Sequence, residues 1–214
     1  MHSLAGVALP GTGEVTDVVR PSVLRLLDRM NDLPAMIVNG RGDVLAWNPL
    51  LAAVVGDLSV VPRERRNHLW LHFVADDVFA SRVVRDNGEG ARLDRATVAQ
   101  GRSAAARHPE YDRLQSVVEE LRRRVPRFAD LWDERPIEYR NSDVKAYDVP
   151  SIGRITLDCE SLAVPDDDQT IVVYSATPGT SDAERLALLR LVGLQSIHEA
   201  ADRIPPPTRL AGNA

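Results

Sequence analysis

The sequence is short of several things, and each shortage excludes a class of protein. One cysteine, Cys159, among 214 residues rules out an internal disulfide framework. No apolar run approaches the roughly 20 residues that a membrane-spanning helix needs. The start, Met1-His2-Ser3-Leu4, lacks the basic and apolar regions of a signal peptide. These three points lead to the expectation of a cytoplasmic protein. A basic surplus is also missing, with a net charge of −5, whereas a domain that grips DNA by its phosphates normally carries one. The clusters Arg63-Glu64-Arg65-Arg66 and Arg122-Arg123-Arg124 read as a solvated loop and a solvated helix face. There is no Gly-rich phosphate loop, no G-x-S-x-G elbow and no H-E-x-x-H. With no catalytic constellation, the expectation is a binding protein and not an enzyme.

What is present is an ordinary globular mixture, 44% hydrophobic and 27% charged, long enough for one large domain with tails. Residues 1–20 show little periodicity and read as an arm. Pro21 suits a helix start, and Val23, Leu27 and Met30 recur at helical spacing before Asn31-Asp32-Leu33-Pro34 ends the segment. Ala35–Val38 and Asp43–Trp47 read as a hairpin across Asn39-Gly40-Arg41-Gly42, where both glycines tolerate positive φ. Asn48 and Pro49 predict the cap and first residue of a short helix carrying Leu50, Leu51, Val54 and Val55.

The middle reads as helical: 67–84, then 90–107, then a stripe of Leu114, Val117, Val118, Leu121 and Val125 broken by Pro126, then Phe128, Leu131 and Trp132. From about 137 the period falls to two. Ile155, Leu157 and Cys159 alternate with polar residues, Asp166-Asp167-Asp168 marks a turn, and Ile171–Tyr174 is rich in strand formers. Ile137–Tyr147 reads as a further, poorly patterned strand. Ser181-Asp182-Ala183-Glu184 fits a capping box before a helix through Leu186, Leu189 and Leu191, and Pro205-Pro206-Pro207 stops what precedes the tail. The fold class is therefore α+β. Five strands joined by hairpins make an antiparallel sheet, with a helical insert between strands two and three and flanking terminal helices, and a ligand pocket fits between sheet and insert. Residues 1–20 form the arm, 21–193 the domain and 194–214 the tail.

Several residue sets invite chemistry. His68 and His72 stand four apart on a predicted helix, which suits two ligands of one metal, but a third is not evident, and two ordinary helix positions are the plainer reading. Asp166-Asp167-Asp168 lacks the spaced ligands of a calcium loop. Arg41-Gly42-Asp43 reads as turn chemistry, and Cys159 as a small buried hydrophobe. No metal or cofactor is expected. With aromatics at only 5%, Trp47, Trp70 and Trp132 stand out. Core packing accounts for each, and their segments also make them candidate pocket walls.

A set of stretches then falls in order: Leu26-Leu27-Asp28, Pro34-Ala35, Asp43-Val44-Leu45-Ala46-Trp47-Asn48, Arg66-Asn67, Phe73, Ala106-Arg107-His108-Pro109, Glu120-Leu121, Phe128, Leu131-Trp132, Gly153, Leu157 and Pro178-Gly179. Over roughly residues 20–192 the chain resembles the ligand-binding domain of MmyB-like regulators of the XRE helix-turn-helix class. It departs from them at Asp86-Asn87, where Asp-Trp is usual, and at Val149-Pro150, where His-Pro is usual. The resemblance implies a PAS-like fold and a sensor whose small apolar ligand alters DNA binding by an attached helix-turn-helix domain. That domain would lie upstream, where this chain has only residues 1–20, so DNA is expected as a partner only through a domain absent from the chain. The expected ligand is apolar and fatty-acid-like, walled by Trp47, Leu51, Trp70, Phe73, Phe79, Phe128 and Trp132 and flanked by Asn48. Arg66 or Asn67 is expected to receive its polar head, since a guanidinium pairs well with a carboxylate. The alternative expectation is a freestanding PAS-like binding or dimerisation protein, and a homodimer suits either.

Overall fold

Proline sets the entry into three helices. In the computed structural model, which describes residues 17–74, 78–85, 88–137 and 142–202, Pro21, Pro49 and Pro126 each occupy the first helical turn, where a missing N–H costs nothing and the fixed φ suits the helix. The first helix, α1 (Pro21–Arg29), buries Val23 and Leu27, four residues apart, on one side. They pack on Ala35, Ile37 and Ile171, which form the outer face of the sheet at that end. Burying each such side chain contributes about 1.5–3 kcal/mol.

The hairpin forms as expected, with β1 (Ala35–Asn39) antiparallel to β2 (Val44–Trp47). Gly42 takes the positive φ of the turn, at 84°, and Gly40 does not. Asn39 Oδ1 accepts from the amides of Arg41 and Asp43 and so closes the turn. Asn48 then caps α2 (Pro49–Val55) by accepting from the Leu51 amide at 2.9 Å.

The insert is less continuous than the sequence predicts. Residues 67–84 hold two short helices, α3 (His68–Phe73) and α4 (Phe79–Arg82), in place of one helical stretch. Then come α5 (Glu89–Arg107), α6 (Asp112–Arg124), with Leu114, Val117, Val118 and Leu121 buried, and α7 (Pro126–Glu134).

Three strands complete the sheet: β3 (Ser142–Val149), β4 (Gly153–Val164) and β5 (Gln169–Ser175). Their order is β2-β1-β5-β4-β3, with every neighbouring pair antiparallel. This is the expected five-stranded α+β, PAS-like arrangement. The insert joins the two edge strands and so must cross one face. Register fixes which residues meet it: Lys145 lies opposite Leu157, Tyr147 opposite Ile155, Cys159 opposite Tyr174, and Met36 opposite both Trp47 and Val172.

The last helix, α8 (Ser181–Asp202), buries Leu186 and Leu189 against this same core. Its cap lies one residue earlier than predicted. Thr180 Oγ1 accepts from the Ala183 amide, and Ser181 is already helical because the helix begins there. The helix also runs past 194, where the tail was expected to start. The arm through residue 16, the pair Asp86-Asn87 and the prolines at 205–207 lie outside the described residues. Among the described residues no helix is long and apolar enough to cross a membrane.

Candidate ligand-binding site

The inner face of the sheet and the underside of the insert meet along a path of rings. It starts at Trp132 and Phe128, whose centroids are 5.3 Å apart and stacked. Phe73 follows, edge-on to Phe128 at 5.1 Å, then His72, His68 and Phe79. From the insert the path steps down to the sheet, from Phe79 to Tyr147 at 6.2 Å and from Tyr147 to Tyr174 at 6.0 Å. Edge-to-face contacts at these separations are the favoured aromatic geometry and add to the burial of each ring. Phe79, Phe128, Tyr147 and Tyr174 are fully buried. Of the expected wall residues, Phe73, Phe79, Phe128 and Trp132 are therefore brought together.

The remaining expected residues lie elsewhere in the same core or at its rim. Leu51 is fully buried in α2. Trp47 stands at the end of β2, half-buried, under the Arg66 guanidinium at 5.4 Å. Trp70 is buried, with the guanidinium groups of Arg65 and Arg124 over its ring at 4.7 and 5.3 Å.

The three polar candidates have partners within the protein. Asn48, besides capping α2, accepts from the Ala35 amide and donates to the carbonyls of Met30 and Leu33. Arg66 donates to the carbonyls of Val61 and Ser59 at 2.7 and 3.0 Å. Asn67 donates to Arg41 O and Asp43 Oδ1 and accepts from the Leu69 amide. Each of these side chains holds backbone in place.

Of the polar groups along the ring path, His68 and His72 are the pair that their spacing singles out, whereas Asp94 and Lys145 carry no signal in the sequence. His72 Nε2 donates to Asp94 Oδ1 at 2.6 Å. Burial holds the His72 imidazolium well below its ordinary range, more than its carboxylate partner raises it. For Asp94, burial alone would raise the carboxyl, but the His72 hydrogen bond and the charges of Arg127 and Arg85 outweigh it and keep the group ionised. Those guanidiniums approach to 3.5 and 3.7 Å. His68 is depressed further, to about 3, by burial and then by the positive charge of Lys145 and by His72. Its side chain is partly buried at this interface.

On the sheet side, Lys145 is buried, and its Nζ lies 5.7 Å from the centre of the Tyr174 ring. Burial, then the neighbouring Tyr147 and Cys159, push the Tyr174 hydroxyl well above its ordinary value, so it is a neutral phenol. Among the described residues no group of three or more His, Cys, Asp or Glu gathers to hold a metal. His68 and His72 thus line the interface without converging on a third ligand.

Aromatic side chains with a few polar groups among them are the kind of lining that small-molecule sites use. The comparisons agree with that class. No curated protein matches the chain. The family described as the MmyB-like transcription regulator ligand binding domain matches residues 19–189, which takes in every strand and helix through Leu189. The chain belongs to this family of MmyB-like transcription regulator ligand-binding domains.

Proposed function

We propose that the domain senses a small apolar, fatty-acid-like molecule held between the inner sheet face and the insert, and that binding controls a helix-turn-helix domain of the XRE type joined to its N-terminal side. The family match supports a ligand-binding role in a transcription regulator. The observation that carries the choice of ligand is the unbroken run of rings from Trp132 to Tyr174. It offers a long, largely apolar wall within the core that also holds Leu51. A hydrocarbon chain gains free energy along such a wall in proportion to the area it removes from water. The protein acts by binding, without catalysis, in the cytoplasm.

For a ligand to switch the regulator it must favour one of two states. The segment before α1 is the natural lever. Gln169 Nε2 of β5 donates to Val18 O, and Arg20 pairs with Asp167 in the β4–β5 turn at 2.5 Å. A shift of β5 against the insert is thereby passed to the chain that leads upstream. A dimerisation role is favoured by exposed leucines on the first and last helices, Leu24 and Leu26 with Leu188 and Leu191.

Native mass spectrometry and thermal melts with saturated fatty acids of graded length test the ligand reading. Adducts and a rising Tm that peaks at one length are expected. An unchanged Tm with every acid, and no adduct, would remove it.

A further inference from the structure

Lys145 is the only lysine in the chain. Every other member of its 26 lysines and arginines is an arginine. This one lysine is 8% exposed, on the inner face of β3, two residues before Tyr147 on the ring path. A buried ammonium is costly unless an anion faces it. Among the described side chains no carboxylate comes within ion-pair distance of it, and its Nζ lies over the ring of Tyr174, with its charge also acting on His68 and His72. Asp94, the buried carboxylate on the insert side, already answers to His72, Arg85 and Arg127.

We infer that Lys145 selects the ligand by its charge, receiving the carboxylate of an amphiphile whose chain follows the ring path. The inference rests on the ligand-sensing reading above and adds the residue that meets the head group and selects for its charge. The surroundings suit the task. Tyr174 is a neutral phenol beside the ammonium and can donate to an oxygen. His68 stays uncharged at neutral pH, so it can hydrogen-bond a head group without adding a second charge. Lysine also suits this position better than the arginine used elsewhere. Its compact charge on a flexible stem adjusts to the head of a sliding chain, where a planar fork would demand one geometry. Arg66 and Asn67, expected from sequence to meet the head, instead hold backbone carbonyls and Asp43.

The test pairs decanoate with 1-decanol, which share a chain and differ in charge, on the wild-type domain and on Lys145→Met. Affinities come from isothermal titration at pH 7.5. The wild type is expected to prefer decanoate at least tenfold, and the variant to bind the two within about twofold of each other. A variant that keeps the preference overturns the inference and leaves the ligand-sensing reading intact. A wild type that binds both equally does the same. A wild type that binds neither overturns both.

A second measurement needs no variant. Growth on lysine labelled with 13C at Cε and 15N at Nζ marks Lys145 alone. Decanoate is expected to shift the Lys145 ε-methylene signal, and decanol to shift it far less. Equal shifts from the two ligands, or none from bound decanoate, overturn the inference.

Discussion

His72 of α3 and Asp94 of α5 meet at 2.6 Å with both side chains nearly out of solvent, 1% and 8% exposed. The imidazole is neutral and the carboxylate is charged, so the bond runs from Nε2–H to Oδ1. It ties the short helix that carries three of the eight rings on the path to the longest helix of the insert.

Acid should therefore loosen the domain. Unfolded, His68 and His72 take up protons as pH falls through 6.5, whereas both resist protonation when folded. The unfolded state then binds more protons, and stability falls as pH falls. Each group contributes at most about 1.4 kcal/mol per pH unit. For His68 the window runs from pH 6.5 down to about 3. Asp94, held low when folded, adds a loss in the same direction below the ordinary carboxyl value of 3.8. Urea midpoints measured between pH 7.5 and 5 should drop steadily, and His68→Gln should flatten the slope. A flat wild-type profile would show that these imidazoles are not buried as described.

Asn48 should matter for stability well beyond a helix cap. Its amide makes four contacts that join α2, the start of β1 and the end of the α1 turn. Asn48→Ala loses the cap, worth about 1 kcal/mol. It also leaves the Ala35 amide and two carbonyls without this partner, at about 1–3 kcal/mol for a buried unsatisfied group. A total loss of about 2–4 kcal/mol in chemical denaturation is expected. Asn48→Asp should not rescue it, since a carboxylate cannot donate to Met30 O and Leu33 O.

The architecture was far more legible in the sequence than the site, and β3 shows why. Pro21, Pro49 and Pro126 fix helix starts locally, and Ile155, Leu157 and Cys159 alternate as a half-buried strand should. In β3 the alternation is inverted: Val144 is 55% exposed on the outer face, while Lys145 is buried inside. A rule that sends apolar residues inward marks such a strand as poor and its lysine as solvent-facing. Only the pairing of Lys145 with Leu157 shows which way it points. The partners of Arg66 and Asn67 are hidden from the sequence for a related reason. Sequence shows their donors, but the carbonyls that engage them are set by turns at 58–66 and 39–43. Phe73, Phe79, Phe128 and Trp132 were legible because large aromatics in helical stretches seek the core whatever the local backbone does.

Gly56 should tolerate no side chain. It ends α2 at φ 95°, and a Cβ there would lie 2.8 Å from Val78 Cγ1 and 3.1 Å from Val78 Cα. Gly88 also has positive φ, at 78°, but opens onto empty space. Gly88→Ala isolates the backbone cost, about 1–2 kcal/mol. Gly56→Ala should exceed it by at least about 1 kcal/mol, because φ 95° with ψ 160° lies in a region essentially restricted to glycine and the neighbouring backbone must also move. Equal Tm losses in the two variants would show that the chain around Gly56 yields easily.

Asp43 and Asp17 share an arginine partner and should differ sharply in effect. Both approach Arg113, at 3.4 and 3.3 Å, and Asp17 also pairs with Arg41. Asp43 is 7% exposed and accepts from Asn67, Asn39 and the Tyr111 hydroxyl. Asp43→Ala strands those donors in a buried setting and should cost about 3–5 kcal/mol. The Asp17 side chain is 36% exposed, so Asp17→Ala should cost no more than about 1 kcal/mol. Its effect belongs to coupling. Asp17 is the point where the segment leading upstream meets the hairpin turn, through Asn39 and Arg41, and α6, through Arg113. Hydrogen exchange at residues 39–43 should quicken in Asp17→Ala while exchange in β4 and β5 stays as in the wild type. Unchanged exchange in the hairpin would mean that the upstream segment only rests on this surface and carries no signal through it.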